Sequence, residues 1–156
     1  MTAAELERRL LKINITDIAG DSLDRHKDEV RQLNIAQLMA GINAEGKPLS
    51  PKYSEDPYFK SRESALRYAR WKQKLFPDTP FDTPNLIITG VFHAGITVSR
   101  AGEQLRFEGK ASFSGSVAAK YGGTELGLSP DSKQKAYREI VKPELVAAMR
   151  EKINGR

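Results

Sequence analysis

"ITVSRAGEQLRFE", residues 96–108, reads as a β-hairpin, and the rest of the chain has to be arranged around it. Ile96 and Val98 alternate with Thr97 and Ser99, and Leu105 and Phe107 alternate with Arg106 and Glu108. "RAGE" between the two runs supplies a turn around Gly102. A period of two places each strand's apolar set on one face, so the hairpin is half buried. Just upstream, "NLIITGVFHAGITV" (residues 85–98) starts like a buried strand, breaks at Gly90 and carries a lone histidine, His93. A catalytic reading makes His93 a base and Thr89 a nucleophile. A structural reading makes Thr89-Gly90 a turn between two pieces of one sheet.

Outward from the hairpin the period becomes helical. Leu6, Leu10 and Ile13 predict a first amphipathic helix over residues 3–14. Asp21 and Ser22 are good caps for a second helix carrying Leu23, Val30, Leu33, Leu38 and Met39 and ending near Gly41. Its last part, "NIAQLMAGI" (residues 34–42), is apolar on more than one side, which points to burial against the sheet or against another subunit. Residues 43–60 have one glycine and three prolines with little periodicity and read as an extended loop.

A helix follows over residues 61–76 and is ended by the prolines of "FPDTPFDTP". On a helical wheel Tyr68, Trp71 and Leu75 fall together, with Arg67, Arg70 and Lys74 on an adjacent stripe, so the aromatic side is expected in the core and the basic side in solvent. "GKASFSGSVAAKYGG" reads as a short strand and then a helical turn closed by Gly122-Gly123. Ser129-Pro130-Asp131 starts a final helix over residues 129–153: a serine cap, proline in the first turn and an acid at the positive end of the dipole. Pro143 kinks or restarts it. The expected fold is therefore α+β in a single domain. An antiparallel sheet of about three to five strands over residues 85–113 packs against long N-terminal helices (residues 1–42), with a C-terminal helix added.

The totals fit that picture. At 156 residues the chain buries about two thirds of its unfolded surface and supports one core. Hydrophobic residues at 39% and charged residues at 29% describe a globular chain rather than a disordered one. No cysteine is present, which excludes disulfides, zinc–thiolate sites and thiol nucleophiles. "MTAAELERRLLKI" lacks the continuous apolar core of a signal peptide, and no run is long enough to span a bilayer, so synthesis in the cytoplasm and no membrane partner are expected.

The net charge of +5 is concentrated. Between Lys52 and Lys74 seven basic residues face Glu55, Asp56 and Glu63, a local excess of +4. Lys60, Arg62, Arg67, Arg70 and Lys74 are accordingly the candidate contacts for phosphate or for an acidic partner, and nucleic acid is an alternative ligand. Catalytic constellations are sparse. The two histidines, His26 and His93, have no H-E-x-x-H spacing, the glycine clusters lack a following Gly-Lys pair, and no G-x-S-x-G elbow occurs. No enzyme, metal or cofactor is expected; a hydrolase using His93 is the weakest of the readings.

Four collinear stretches, "AEGKPLSPKY" (residues 44–53), "NLIITGVF" (85–92), "VAAKYGG" (117–123) and "LGLSPDSKQKAYREIV" (126–141), resemble the phage virion-morphogenesis (tail completion) family, relatives of head–tail connectors and tail terminators. The resemblance implies a non-enzymatic structural protein of the virion, made in the bacterial host cytoplasm. It also implies a homo-oligomeric ring, commonly sixfold, that meets tail or neck proteins. In that setting Leu38, Met39, Ile42, Leu49, Tyr53, Tyr58 and Phe59 are the candidate interface, and Thr89-Gly90 is a turn asked to do no chemistry. The loop from Gly46 to Lys60 is then either a docking arm, anchored by its aromatics and steered by Lys52 and Lys60, or a segment folded back over the sheet.

Overall fold

The computed structural model describes residues 1–155. Helix α1 (Ala3–Leu10) opens with a capping box between Thr2 and Glu5 and ends short of the sequence expectation. Helices α2 (Ile15–Arg25) and α3 (Lys27–Met39) follow. Asp21 and Ser22 lie inside α2 and cap nothing. The cap is Asn14, whose side chain accepts from the Asp17 N–H, and buried Ser22 instead donates its hydroxyl to the Ile140 carbonyl at 3.2 Å. The break between the two helices falls at His26.

The hairpin forms as read. Strands β1 (Ile96–Ala101) and β2 (Gln104–Gly109) pair antiparallel, with Val98 opposite Phe107, around a two-residue turn in which Gly102 has a φ of 64°. Among the described residues the sheet has these two strands and no third, fewer than expected. Its buried face serves two clusters. Val98 packs with Val30, Leu128, Ala136 and Ile140, while Ile96 packs with Leu38, Leu49 and Phe92. Helix α3 spans both, with Val30 in one and Leu38 in the other. The α+β class stands, as does a hairpin against the N-terminal helices with a helix at the C-terminal end.

Residues 85–95 correct the sheet boundary. Residues 84–90 are irregular, Leu86 has a φ of 58°, and a one-turn helix α5 (Val91–Ala94) starts at Gly90, whose φ is 83°. A strand would satisfy the backbone of this run by a ladder; side chains do so here. The Lys72 ammonium donates to the Ile87 carbonyl and, at 2.6 Å, to Asn85 Oδ1, which also accepts from the Ile87 N–H at 3.2 Å. The His93 ring donates from Nε2 to the Asn85 carbonyl at 2.9 Å.

Helix α4 (Arg62–Leu75) is capped by Ser61 and packs on a 3-10 turn at Tyr53–Glu55. Helix α6 (Ser114–Tyr121) ends at Gly122 with a φ of 69°. The segment before the last helix, "ELGLS" (residues 125–129), is held by α3. Asn34 donates to the Glu125 carbonyl at 3.2 Å and accepts from the Gly127 N–H, while Gln37 donates to the Gly127 carbonyl and accepts from the Ser129 N–H at 2.7 Å. Ser129 caps α7 (Pro130–Ala136) as predicted. Pro143 neither breaks nor ends the helix. Residues Tyr137–Val141 widen into a π-turn, in which the Lys142 N–H reaches back to Tyr137, and α8 (Lys142–Asn154) continues beyond it. The wider turn accommodates a proline ring that would collide with the carbonyl four residues earlier in a regular helix.

Candidate interaction surface

The inward stripe of α4 is Ala65, Ala69 and Lys72, a spacing of four and three residues. Two alanines leave room for the Tyr53 ring to come close, and Tyr53, Phe59 and Tyr68 pack edge-on or tilted at centroid separations of 5.0 to 6.3 Å. The expected helix orientation is therefore corrected by part of a turn. Trp71 and Leu75 face solvent, Trp71 at 45% exposure, and Lys72, one of the seven basic residues between Lys52 and Lys74, is buried. Burial pulls the Lys72 amine down to about 8, and its ammonium sits 5.6 Å from the Phe76 ring centroid.

Beside this stripe lies a cleft of about 650 Å³ between α4, the 53–59 loop, residues 84–92 and α6. Tyr53, Tyr68 and Tyr121 form much of its wall, and burial pushes all three phenols up, Tyr121 to about 12. The rim is apolar and open to solvent: Tyr58 is 82% exposed, Ile88 57% and Val91 51%, with Phe113 also exposed. The acid in the wall, Asp56, is matched by Lys120. Burial works to raise the Asp56 carboxyl, but hydrogen bonds from Lys120 and the Tyr58 N–H, with the Lys120 charge, leave it below the usual carboxylate range.

The sequence candidates divide accordingly. Leu38 and Leu49 are buried in the protein's own core, and Tyr53, buried against Ala65 and Ala69, contributes only to the wall of the cleft. Met39, Ile42 and Phe59 are half buried, and Tyr58 alone of the seven stands fully in solvent. The 46–60 loop is folded back: the Leu49 N–H donates to the Gly41 carbonyl at 2.7 Å, Ile42 bridges to Pro48, and Ser54 donates through its backbone and hydroxyl to the Asp82 carboxylate. Lys60, Arg62, Arg67, Arg70 and Lys74 are all exposed, and none forms an ion pair with another described residue.

His93 is buried, its ring bound to the Asn85 carbonyl, and burial holds its pKa below the ordinary histidine value. It braces the 85–93 turn as a neutral ring. Thr89 is exposed, and its hydroxyl accepts from the Val91 N–H at 3.5 Å. The exposed rim residues Ile88, Val91 and Phe113 were not among the sequence candidates. The signal for Ile88 and Val91 was present in the apolar character of "IITGVF" (residues 87–92), which the expectation of a buried strand absorbed, whereas Phe113 stands alone in a run of small residues.

No helix among the described residues is long and apolar enough to cross a membrane. No protein-family model matches the sequence, and neither a curated protein nor a solved structure matches it.

Proposed function

We propose that this chain is a structural subunit of a tailed-phage particle, of the virion-morphogenesis kind. It acts without chemistry in tail completion or at the head–tail joint, as one member of a closed ring, is made in the bacterial host cytoplasm and is retained in the virion. The observation that carries the reading is the open aromatic cleft. A rim built of Tyr58, Ile88, Val91 and Phe113 keeps a contiguous apolar surface in water, the property of a surface that a neighbouring protein covers.

The four stretches that carry the family resemblance support it by their placement. Leu49 from the first, Leu86 and Phe92 from the second, Val117 and Tyr121 from the third and Leu126 from the fourth all pack in the cluster around Leu38 and Ile96. The first stretch is also tied to the link between the third and the fourth, where the Ala44 N–H donates to the Thr124 carbonyl at 2.7 Å. Collinear motifs that converge on one cluster behave as a structural signature rather than as four separate turns. A ring requires heterologous interfaces, in which one face of a subunit covers a different face of the next.

The test is made on particles from an induced culture carrying the gene. The chain is expected in purified virions, and its deletion is expected to leave heads and tails unjoined. Ile88→Asp with Val91→Asp, a pair at solvent positions, is expected to fold and yet stay out of particles. Absence of the wild-type chain from virions, or normal incorporation of the double variant, overturns the reading.

A further inference from the structure

The outer face of α4 lies beside the cleft and is distinct from it. Between Lys60 and Lys74 the chain carries six basic residues and a single acid, Glu63. Lys72 turns inward, which leaves Lys60, Arg62, Arg67, Arg70 and Lys74 in solvent without a carboxylate partner among the described residues. Arg67, Arg70 and Lys74 recur at three and four residues and so form one stripe about 10 Å long. Trp71 stands against that stripe, four residues after Arg67 and three before Lys74.

A phosphate-binding stripe without a stacking ring would be an ordinary solvated helix face. The orientation of α4 removes that objection, because Trp71 is 45% exposed instead of packed in the core. It is also backed: its centroid lies 5.5 Å from Tyr68, which packs in turn on Phe59 and on buried Tyr53. A ring held from behind loses little freedom when a flat group settles on its open side. Tyr58 offers a second exposed ring, 5.4 Å from Phe59.

We propose that the outer face of α4 binds single-stranded nucleic acid, with Arg67, Arg70 and Lys74, extended by Lys60 and Arg62, on the phosphates and with bases stacked on Trp71. Positive charge alone would take any polyanion. The rings select unpaired bases, since a duplex keeps its base faces stacked on one another and an acidic polypeptide has none to offer.

The chain contains one tryptophan, so its emission reports on this face directly. The full chain is titrated with a 20-nucleotide oligothymidylate, the matching oligouridylate, a 20-base-pair duplex and polyglutamate, with binding also followed by anisotropy of labelled strands. Both single strands are expected to quench Trp71, and a preference between them identifies the sugar. With five phosphates neutralised at about 0.7 ions each, affinity for single strands falls about 100-fold between 50 and 200 mM salt. Arg67→Ala with Arg70→Ala lowers the magnitude of the log–log salt slope by about 1.4. Trp71→Ala weakens binding about tenfold with the slope unchanged, and Trp71→Phe retains most of the affinity. Far-UV circular dichroism matching the wild type shows that each variant is folded. The proposal is overturned if the duplex binds as tightly as the single strands, if polyglutamate quenches Trp71 equally, if Trp71→Ala binds unchanged, or if no single strand binds at 50 mM salt.

Discussion

Replacing Lys72 by methionine keeps most of the aliphatic stem and removes the ammonium. In the wild type the ammonium hydrogen-bonds the Asn85 side chain and the Ile87 carbonyl from a position only 4% exposed, and burial has brought its pKa from 10.5 to about 8. The unfolded chain therefore binds more protons than the folded one between those two values, so stability must rise with pH across that window. A tenfold weakening of proton binding corresponds to about 1.4 kcal/mol, so the charged group is held at a cost of about 3 kcal/mol at pH 7. Roughly 2 kcal/mol of that is recovered by pH 10.

The variant loses two charge-assisted hydrogen bonds, worth about 1.5–3 kcal/mol each, and is relieved of the same desolvation cost. At pH 7 a loss of about 3–6 kcal/mol against a relief of about 3 leaves the variant about 0–3 kcal/mol less stable than the wild type. At pH 10 the relief is mostly gone, so the variant's deficit against wild type grows by roughly 2 kcal/mol. Urea unfolding followed at 222 nm between pH 7 and pH 10 measures both profiles. Above pH 10 the raised tyrosines reverse the trend in both proteins, because the unfolded phenols ionise first. Parallel profiles for wild type and Lys72→Met from pH 7 to pH 10 would refute the buried-ammonium account.

Three further outcomes follow from the packing and the polar contacts. Asn34→Ala leaves the Glu125 carbonyl and the Gly127 N–H without their partner and is expected to lower unfolding free energy by about 2–3 kcal/mol, read by chemical denaturation. Leu49→Ala, at a side chain 1% exposed in the second cluster, is expected to lower it by about 3 kcal/mol, and a loss under 1 kcal/mol would place the 46–60 loop off the body in solution. His93 is held neutral in the fold, so below its ordinary value near 6.5 the unfolded state takes up a proton that the folded state refuses; stability falls with acid there, and His93→Gln is expected to flatten that limb of a pH–denaturation series.

Much of the architecture was legible because it rests on local rules. Alternation over residues 96–108 with Gly102 at the turn determined the hairpin, the Ser129-Pro130 cap determined the start of the final helix, and the prolines after Leu75 determined the end of α4. Each of these depends on neighbours within a few residues. Tertiary structure decided which way α4 faces and what residues 85–90 become. A wheel ranks Trp71 and Leu75 above Ala65 and Ala69 by hydrophobicity, but the helix packs by shape, and only the alanine side admits the Tyr53 ring at close range. With that side inward, Lys72 is carried into the interior and finds the Ile87 carbonyl, which removes the need for a third strand and leaves Ile88 and Val91 at the surface. The partner of a buried ammonium lies 15 residues away in sequence and is set by packing, so no local pattern announces it. The exposed Trp71 and the open rim of the cleft are consequences of that same choice.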